Sequence, residues 1–542
     1  MVGKQMKKDL KLANFFPFPE TRPAQDEALA AIEKAHADKK KFVILEIPTG
    51  GGKSGIAVAA AKWAKEALGG GTYILSPQKT LTAQYTKDFG ELGIKELRGR
   101  GSYRCDDFGT DCERGNILRK TRDDICQQCP YRTAKDEVIA GAFGVTNFSY
   151  YLSEMQHAGK LGRRSLLILD EGHNTETLLL NETDIQIKQK QLFEYGIQQL
   201  PTGTSIKHYK EWTEEVAKSA IQSYIQEEEK LEHSDSEAQV ASFRKITSAQ
   251  TMINRLSRFL NSENEQEWVA WTDKDAITIK PLSPKAHVGR LLFDHADMII
   301  IMSATILDLK TFTRGLGISP TSCEYLALPS DFPQDNRQIY YRPIGSMNFS
   351  QQPKTLPALS EYVRHLLVEV HPNVKGIIHT HTRHINAFLA KSLRDLGDRI
   401  ITYSDAKGRD QAVRDHINSR TPTVLLTPGM TEGLDLKDDL SRFQVICKVP
   451  FPPLDEYNKA RMKSDSAWYQ WRTALTLVQA TGRSVRSNTD YAATYVLDSD
   501  FERFVANNKG ILPGWWLSAI RWPRKTVPPL KTSKPEPTEY FF

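Results

Sequence analysis

No stretch of the chain approaches the roughly 20 consecutive apolar residues that a helix needs to cross a bilayer. Apolar runs such as 166–169 and 298–302 have the length of buried strands instead. The N-terminus is basic but has no apolar stretch of the kind a signal peptide carries, so an intracellular protein is the default expectation. Cysteine is scarce, with six residues in 542. Four of them, Cys105, Cys112, Cys126 and Cys129, fall within 25 residues, while Cys323 and Cys447 lie far downstream in apolar surroundings and read as buried core thiols. In a reducing compartment a tight cluster of thiols is a metal site rather than two disulfides. A large excess of one charge is also missing: 72 Lys and Arg stand against 66 Asp and Glu, a net charge of +6. That balance permits a phosphate-rich partner without demanding one. There is no internal repeat of short period.

What is present is an alternation of short apolar runs with helical spacing. Strands are predicted at 42–45, 72–75, 143–147, 165–169 and 298–302, then at 374–379, 399–403, 423–427, 443–449 and 492–497. Such alternation argues for parallel, helix-covered α/β sheets, and the chain reads as two α/β halves. The first half is interrupted twice. One interruption is rich in Cys, Arg and Asp without clear periodicity. The other is polar, with helical spacing at 212–231 and 247–260, and reads either as a solvated surface insertion or as a helical accessory domain that contacts substrate. The Pro- and Lys-rich C-terminal tail is predicted to be disordered.

Three motifs carry chemistry. Thr49-Gly50-Gly51-Gly52-Lys53-Ser54 follows a strand and opens a helix. Its glycines let backbone amides curl around phosphate oxygens, Lys53 can neutralise the β/γ-phosphates, and the Ser54 hydroxyl can ligate Mg²⁺. Ile47 stands where the general phosphate-loop pattern has its first glycine. Asp170-Glu171-Gly172-His173 directly follows the strand at 165–169. Asp170 can hold the Mg²⁺ shell and Glu171 can polarise the attacking water. In Gln479-Ala480-Thr481-Gly482-Arg483-Ser484-Val485-Arg486, Arg483 and Arg486 share one helical face and can act as arginine fingers from a separate domain.

Taken in order, these segments resemble the motif series of superfamily 2 helicases, in the arrangement of the XPD/DinG family. Arg22-Pro23-Ala24-Gln25 resembles the adenine-reading glutamine segment, 48–54 motif I in its helicase form, Ser76-Pro77-Gln78-Lys79-Thr80-Leu81 motif Ia, and 170–173 motif II. Ser303-Ala304-Thr305 resembles motif III, His379-Thr380-His381-Thr382 motif IV, Thr431-Glu432-Gly433-Leu434-Asp435 motif V, and 479–486 motif VI. Gly172 departs from the Ala that many relatives carry, and the short stretch ahead of Arg22 leaves no room for the nuclease domain fused to some DinG-like proteins.

The resemblance implies two RecA-like parallel-sheet motor domains. The first is in three parts, 12–97, 137–180 and 286–325, split by an iron–sulfur insertion at 98–136 and a helical arch at 181–285; the second spans 326–522, and a disordered tail covers 523–542. It implies ATP bound by Gln25, Thr49, Gly50, Gly51, Gly52, Lys53 and Ser54 with Gly433 and Asp435 from the second domain. Mg²⁺ falls to Ser54 and Asp170, and catalysis to Lys53, Asp170, Glu171, Gln479, Arg483 and Arg486. The spacing of the four cysteines suits Zn²⁺ or a 4Fe–4S cluster equally; their place between motifs Ia and II, by resemblance, selects the cluster. DNA contacts are expected from Gln78, Arg98, Arg100, Tyr103, Arg104, Thr380, Thr382 and Thr431, with an ordinary basic loop as the bland reading of 98–104.

The implied activity is that of an ATP-dependent DNA helicase moving 5′ to 3′ on single-stranded or forked DNA, with DNA–RNA hybrids as a further substrate. It would unwind duplex, D-loop or R-loop by strand exclusion, as a monomer in the cytoplasm, at the nucleoid of a bacterial or phage-infected cell. A translocase that strips protein or RNA from DNA, and a non-motor scaffold with a vestigial nucleotide site, are the competing readings.

Overall fold

The computed structural model describes residues 10–119, 128–157, 159–232, 235–330, 332–429, 436, 438–482, 485 and 489–523. Cys126, Thr431, Gly433, Asp435, Arg483, Arg486 and nearly all of the predicted tail lie outside the described residues.

Two seven-stranded parallel sheets carry the architecture. The first runs in the order Cys323–Ala327, Phe42–Glu46, Ala296–Ser303, Arg164–Leu169, Thr72–Ser76, Phe143–Asn147 and Ile94–Leu97. The second runs Ile400–Thr402, Val424–Thr427, Gly376–His379, Phe443–Ile446, Ala493–Asp498, Ile339–Gly345 and Ile520–Arg521. Every strand read from an apolar run forms, because a parallel sheet covered by helices on both faces needs residues that are apolar on both faces. Phe42 and Ile44 enter one core with Tyr73, Leu75 and Leu167. Val43 and Leu45 enter the opposite core with Ile74, Leu166 and the Ala-rich helix Lys53–Ala67. This is the two-residue alternation of a strand. Ile94–Leu97, Cys323–Ala327, Ile339–Gly345 and Ile520–Arg521 sit at or next to sheet edges. Interleaved Lys95, Glu96, Glu324 and Arg342 break their apolar residues and leave no long apolar run to read.

Both insertions leave and re-enter the first sheet between neighbouring strands. One departs after Ile94–Leu97 and returns at Phe143–Asn147; it holds the short ladder Arg104–Cys105 with Thr110–Asp111 and the helices Cys112–Arg119 and Pro130–Ala140. The other departs after Arg164–Leu169 and returns at Ala296–Ser303. Its helices Lys218–Lys230 and Ser236–Leu260 match the helical spacing, but it is not all-helical. Ile185–Lys188, Ala276–Pro281 and Trp268–Thr272 form an antiparallel sheet that packs Ile187, Ile277 and Ile279 against Trp212, Ile221, Leu256 and Phe259. The strand Ile185–Lys188 alternates buried and exposed over only four residues, too short a signal to separate from a loop. Cys323 and Cys447 are buried, as their apolar surroundings predict. Among the described residues no helix is long and apolar enough to cross a membrane.

Candidate active site

Parallel strands deliver their C-terminal ends to one edge of a sheet, where ligands bind in folds of this kind. Strand Phe42–Glu46 runs into the glycine loop and then into helix Lys53–Ala67. Gly50 and Gly52 hold left-handed backbone, φ 77° and 82°, and no side chain caps the first amides of the helix, which leaves them facing the loop as an anion-binding end. Gln25 is buried against the loop. Its Oε1 accepts from the backbone N–H of Arg22 (2.9 Å) and its Nε2 donates to the Gly51 carbonyl (3.3 Å), while Arg22 Nη1 donates to the Gly50 carbonyl (3.0 Å). Lys53 Nζ donates to the Ile47 carbonyl (3.3 Å). A Cβ at Gly52 would stand 2.1 Å from Gln25 Nε2. Gly52→Ala is therefore expected to weaken binding of a fluorescent ADP analogue by at least about tenfold, since a left-handed alanine alone costs about 1–2 kcal/mol; undiminished affinity in that titration would show that the loop opens freely.

Asp170 is buried at the end of strand Arg164–Leu169. Its Oδ2 accepts from the Tyr85 hydroxyl (3.1 Å) and its Oδ1 from the Glu171 N–H (3.0 Å). Burial, and then the Glu171 charge, push its carboxyl up to about 6 against the pull of Lys53. A desolvated carboxylate of this kind gains from a nearby cation, so Asp170 fits a divalent metal. Glu171 has left-handed backbone, φ 50°, and its Oε2 lies 3.5 Å from His173 Nδ1. His173 Nδ1 is 2.8 Å from Ser303 Oγ, which donates to the Thr305 carbonyl (2.9 Å). Gln479 Nε2 then donates to Thr305 Oγ1 (2.8 Å). A continuous polar chain thus links Glu171, His173, Ser303 and Thr305 to the helix Ser466–Thr481 of the second half. Gly172 admits no side chain, because a Cβ there would stand 2.3 Å from Ile301 Cγ2. The end of helix Ser466–Thr481, from which the chain continues to Arg483, is held by Gln444 Nε2 on the Thr481 carbonyl (2.9 Å) and Trp516 Nε1 on Thr481 Oγ1 (2.7 Å).

Several residues here carry no sequence signal. Glu176, on the helix that follows His173, accepts from Arg461 Nη2 (2.8 Å) and Trp468 Nε1 (3.2 Å). Arg314 pairs with Asp465 through two donors (2.8 and 2.7 Å), and Trp471 Nε1 donates to the Ile306 carbonyl (2.7 Å). These bonds seat the helices Glu456–Ser464 and Ser466–Thr481 on the first half. Asn147 Nδ2 holds the Pro77 carbonyl (2.9 Å) beside Gln78, which starts the helix Lys79–Phe89.

Cys105, Cys112 and Cys129 are all buried. The sulfurs of Cys112 and Cys129 are 3.6 Å apart, and the Cys105 sulfur lies against helix Cys112–Arg119, where a Cβ at Gly115 would meet it at 2.4 Å. Burial and the neighbouring Cys129 push the Cys112 thiol up to about 11. Among the described residues no three metal-ligating side chains form one group, and Cys126 lies outside the described residues. A cavity of about 720 Å³ opens between this insertion and the helix Ser236–Leu260, lined by Arg100, Tyr150, Ser153, Arg244, Thr247 and Arg255 among others. Ion pairs Arg114–Glu237 and Arg244–Glu113 (3.4 Å) tie the two insertions together.

The expected strand contacts divide. Arg100 lies at the cavity with its guanidinium 4.3 Å from the Tyr131 ring centroid, and Arg104 is exposed beside Asp106 (3.0 Å). Arg98 pairs with Glu96 (2.6 Å). Tyr103 is half-buried, edge-on to Tyr131 at 5.6 Å, and its hydroxyl accepts the Arg98 N–H (3.1 Å). Thr382 caps the helix Arg383–Ser392 by accepting from the Ile385 N–H (3.2 Å). Thr380 is fully buried and donates to the Thr427 carbonyl (3.0 Å). Extension of the sheet pairing beyond His379 draws its side chain inside the domain.

The comparisons agree with this arrangement. A helicase C-terminal domain family matches residues 375–519, and the Type III restriction enzyme res subunit family matches residues 18–199. The ATP-dependent DNA helicase YoaA of Escherichia coli is 24% identical over 48% of this chain and 42% of its own length. The ATP-dependent DNA helicase DinG of Photobacterium profundum is 25% identical over 44% of this chain and 36% of its own length. The aligned part thus spans less than half the length of these curated relatives. A solved XPD helicase shares the fold over 93% of this chain and 100% of its own, with a TM-score of 0.60 at 15% identity. With a helicase C-terminal match on the second half, a res-subunit match on the first, DNA helicases among its relatives and the fold of a solved XPD helicase over 93% of its length, the chain is similar to the XPD/DinG-like superfamily 2 helicases.

Proposed function

We propose that the chain is an ATP-hydrolysing motor that translocates on single-stranded DNA and separates strands by exclusion, with 5′ to 3′ polarity. The observation that carries this reading is the polar chain from Glu171 through His173, Ser303 and Thr305 to Gln479. It ties the acidic centre on one sheet to the helix that leads to Arg483 and Arg486, which is what a motor that senses hydrolysis across two domains requires. In this reading Gln25 and 49–54 bind ATP, joined by Gly433 and Asp435. Lys53 neutralises phosphate charge, Glu171 takes the proton of the attacking water, and Arg483 and Arg486 stabilise the charge that develops on the γ-phosphate. Mg²⁺, when bound by Ser54 and Asp170, supplies positive charge at the phosphates.

The cavity between the insertions suits a single strand, with Arg100, Arg244 and Arg255 as phosphate partners and Tyr150 as an aromatic wall. Gln78, Arg98, Arg104, Thr382 and Thr431 are proposed to contact the strand along its path, and Tyr103 to brace that wall. Cys105, Cys112, Cys126 and Cys129 are proposed to hold a 4Fe–4S cluster whose task is structural, fixing the insertion beside the DNA. The test is phosphate release with and without single-stranded DNA, then unwinding of duplexes carrying a 5′ or a 3′ tail. Stimulation by DNA and unwinding from the 5′ tail only are expected. ATP turnover indifferent to DNA would sink the motor reading. Anaerobic purification should yield iron and sulfide in equal amounts; zinc without iron would overturn the cluster assignment alone.

A further inference from the structure

Tyr85 belongs to none of the motifs, yet it stands at the centre of the site. It is 2% exposed on the helix Lys79–Phe89, and its ring is braced by Phe89 at 6.4 Å between centroids. A phenol has one hydrogen and two lone pairs. The hydrogen goes to Asp170 Oδ2 at 3.1 Å. Tyr85 therefore holds the carboxylate read above as an Mg²⁺ ligand.

The chemistry of ligation gives this bond a purpose. A carboxylate coordinates best when its orientation is fixed by donors that leave lone pairs free. For Asp170, the Tyr85 hydroxyl fixes one oxygen and the Glu171 N–H fixes the other at 3.0 Å.

We propose that Tyr85 is a positioning residue for the nucleotide's Mg²⁺, its hydroxyl orienting Asp170 so that the carboxylate presents its free lone pairs to the metal. This inference rests on the reading of Lys53, Ser54 and Asp170 as a nucleotide site. Groups that hold metal ligands in place are typically worth about 10–100-fold in metal affinity. Tyr85→Phe removes the hydroxyl and keeps the ring, so packing against Phe89 survives.

The experiment is a titration of the full chain and of Tyr85→Phe with a fluorescent ADP analogue, once in EDTA and once in excess Mg²⁺. In EDTA the two proteins are expected to bind alike. In Mg²⁺ the variant is expected to bind about tenfold more weakly, because only the metal-dependent gain is lost. Equal affinities in Mg²⁺ would overturn the proposal, as would an equal loss in both buffers, which marks Tyr85 as a packing residue only. If the parent itself binds no nucleotide in either buffer, the nucleotide reading of the site fails and this inference with it.

Discussion

Glu171→Gln is expected to slow ATP hydrolysis by about 10²–10⁴-fold while leaving ATP binding close to that of the parent, the range over which a positioned general base contributes. The carboxylate follows the strand end at Asp170, and its left-handed backbone, φ 50°, breaks the strand so that the next residue starts a short turn. Asp170 on one side and His173 at 3.5 Å on the other fix its surroundings. Glutamine has the same shape and still fills the space, but it cannot accept a proton from water. Binding should survive because the loop amides, Gln25 and Lys53 hold the nucleotide independently of Glu171. Single-turnover hydrolysis of preloaded ATP in the presence of single-stranded DNA, beside an ATP-retention assay, separates the two quantities. A variant that hydrolyses at the parent rate would show that another group handles the water. A variant that loses binding as severely as rate would show that Glu171 shapes the site rather than serving as its base.

Arg461→Ala is expected to cost about 3–5 kcal/mol in the docking of the second half, because it strands a buried charge. The Arg461 and Glu176 side chains are 5% and 9% exposed, with Nη2 and Oε1 2.8 Å apart. Without the guanidinium, the Glu176 carboxylate keeps only the Trp468 N–H at 3.2 Å. Intact, such a pair is often no more stabilising than a well-packed apolar pair, so the expected loss reflects the uncompensated partner. Hydrogen exchange locates it. The helices Glu456–Ser464 and Ser466–Thr481 should exchange faster, while the strands Val424–Thr427 and Phe443–Ile446 keep their protection. ATP turnover should fall with them, because the same helix carries Trp471 onto the Ile306 carbonyl and Gln479 onto Thr305. The double substitution Glu176→Leu with Arg461→Met should recover most of the protection. Exchange unchanged in Arg461→Ala would mean that water reaches Glu176 and that the helix pair is held by its apolar contacts.

Both expectations bear on what could be read before any fold was known. The chemistry confined to a few adjacent residues was legible: a glycine loop must follow a strand and open a helix, so Thr49 to Ser54 announce their own geometry, and Asp170-Glu171 after an apolar run announce a strand end. The two sheets were legible for the same reason, since strands buried on both faces are written as continuous apolar runs like 42–45 and 298–302. Edge strands such as Ile94–Leu97 lack such runs because Lys95 and Glu96 interrupt them, and the four-residue strand Ile185–Lys188 lacks one because only one side is buried.

Residues whose role depends on a partner far away in the chain left no trace. Tyr85 looks like one more aromatic on an amphipathic helix until the sheet brings Asp170, 85 residues later, to its hydroxyl. Glu176 and Arg461 are 285 positions apart and individually resemble solvated charges. Thr380, read as a hydroxyl for DNA, is turned inward by strand pairing. The sequence by itself determined the chemical groups and the strands that carry them, because motif and strand are local in the chain. Only the tertiary structure decided which groups meet, which are buried and which hold the two halves together, because those depend on contacts that no local spacing encodes.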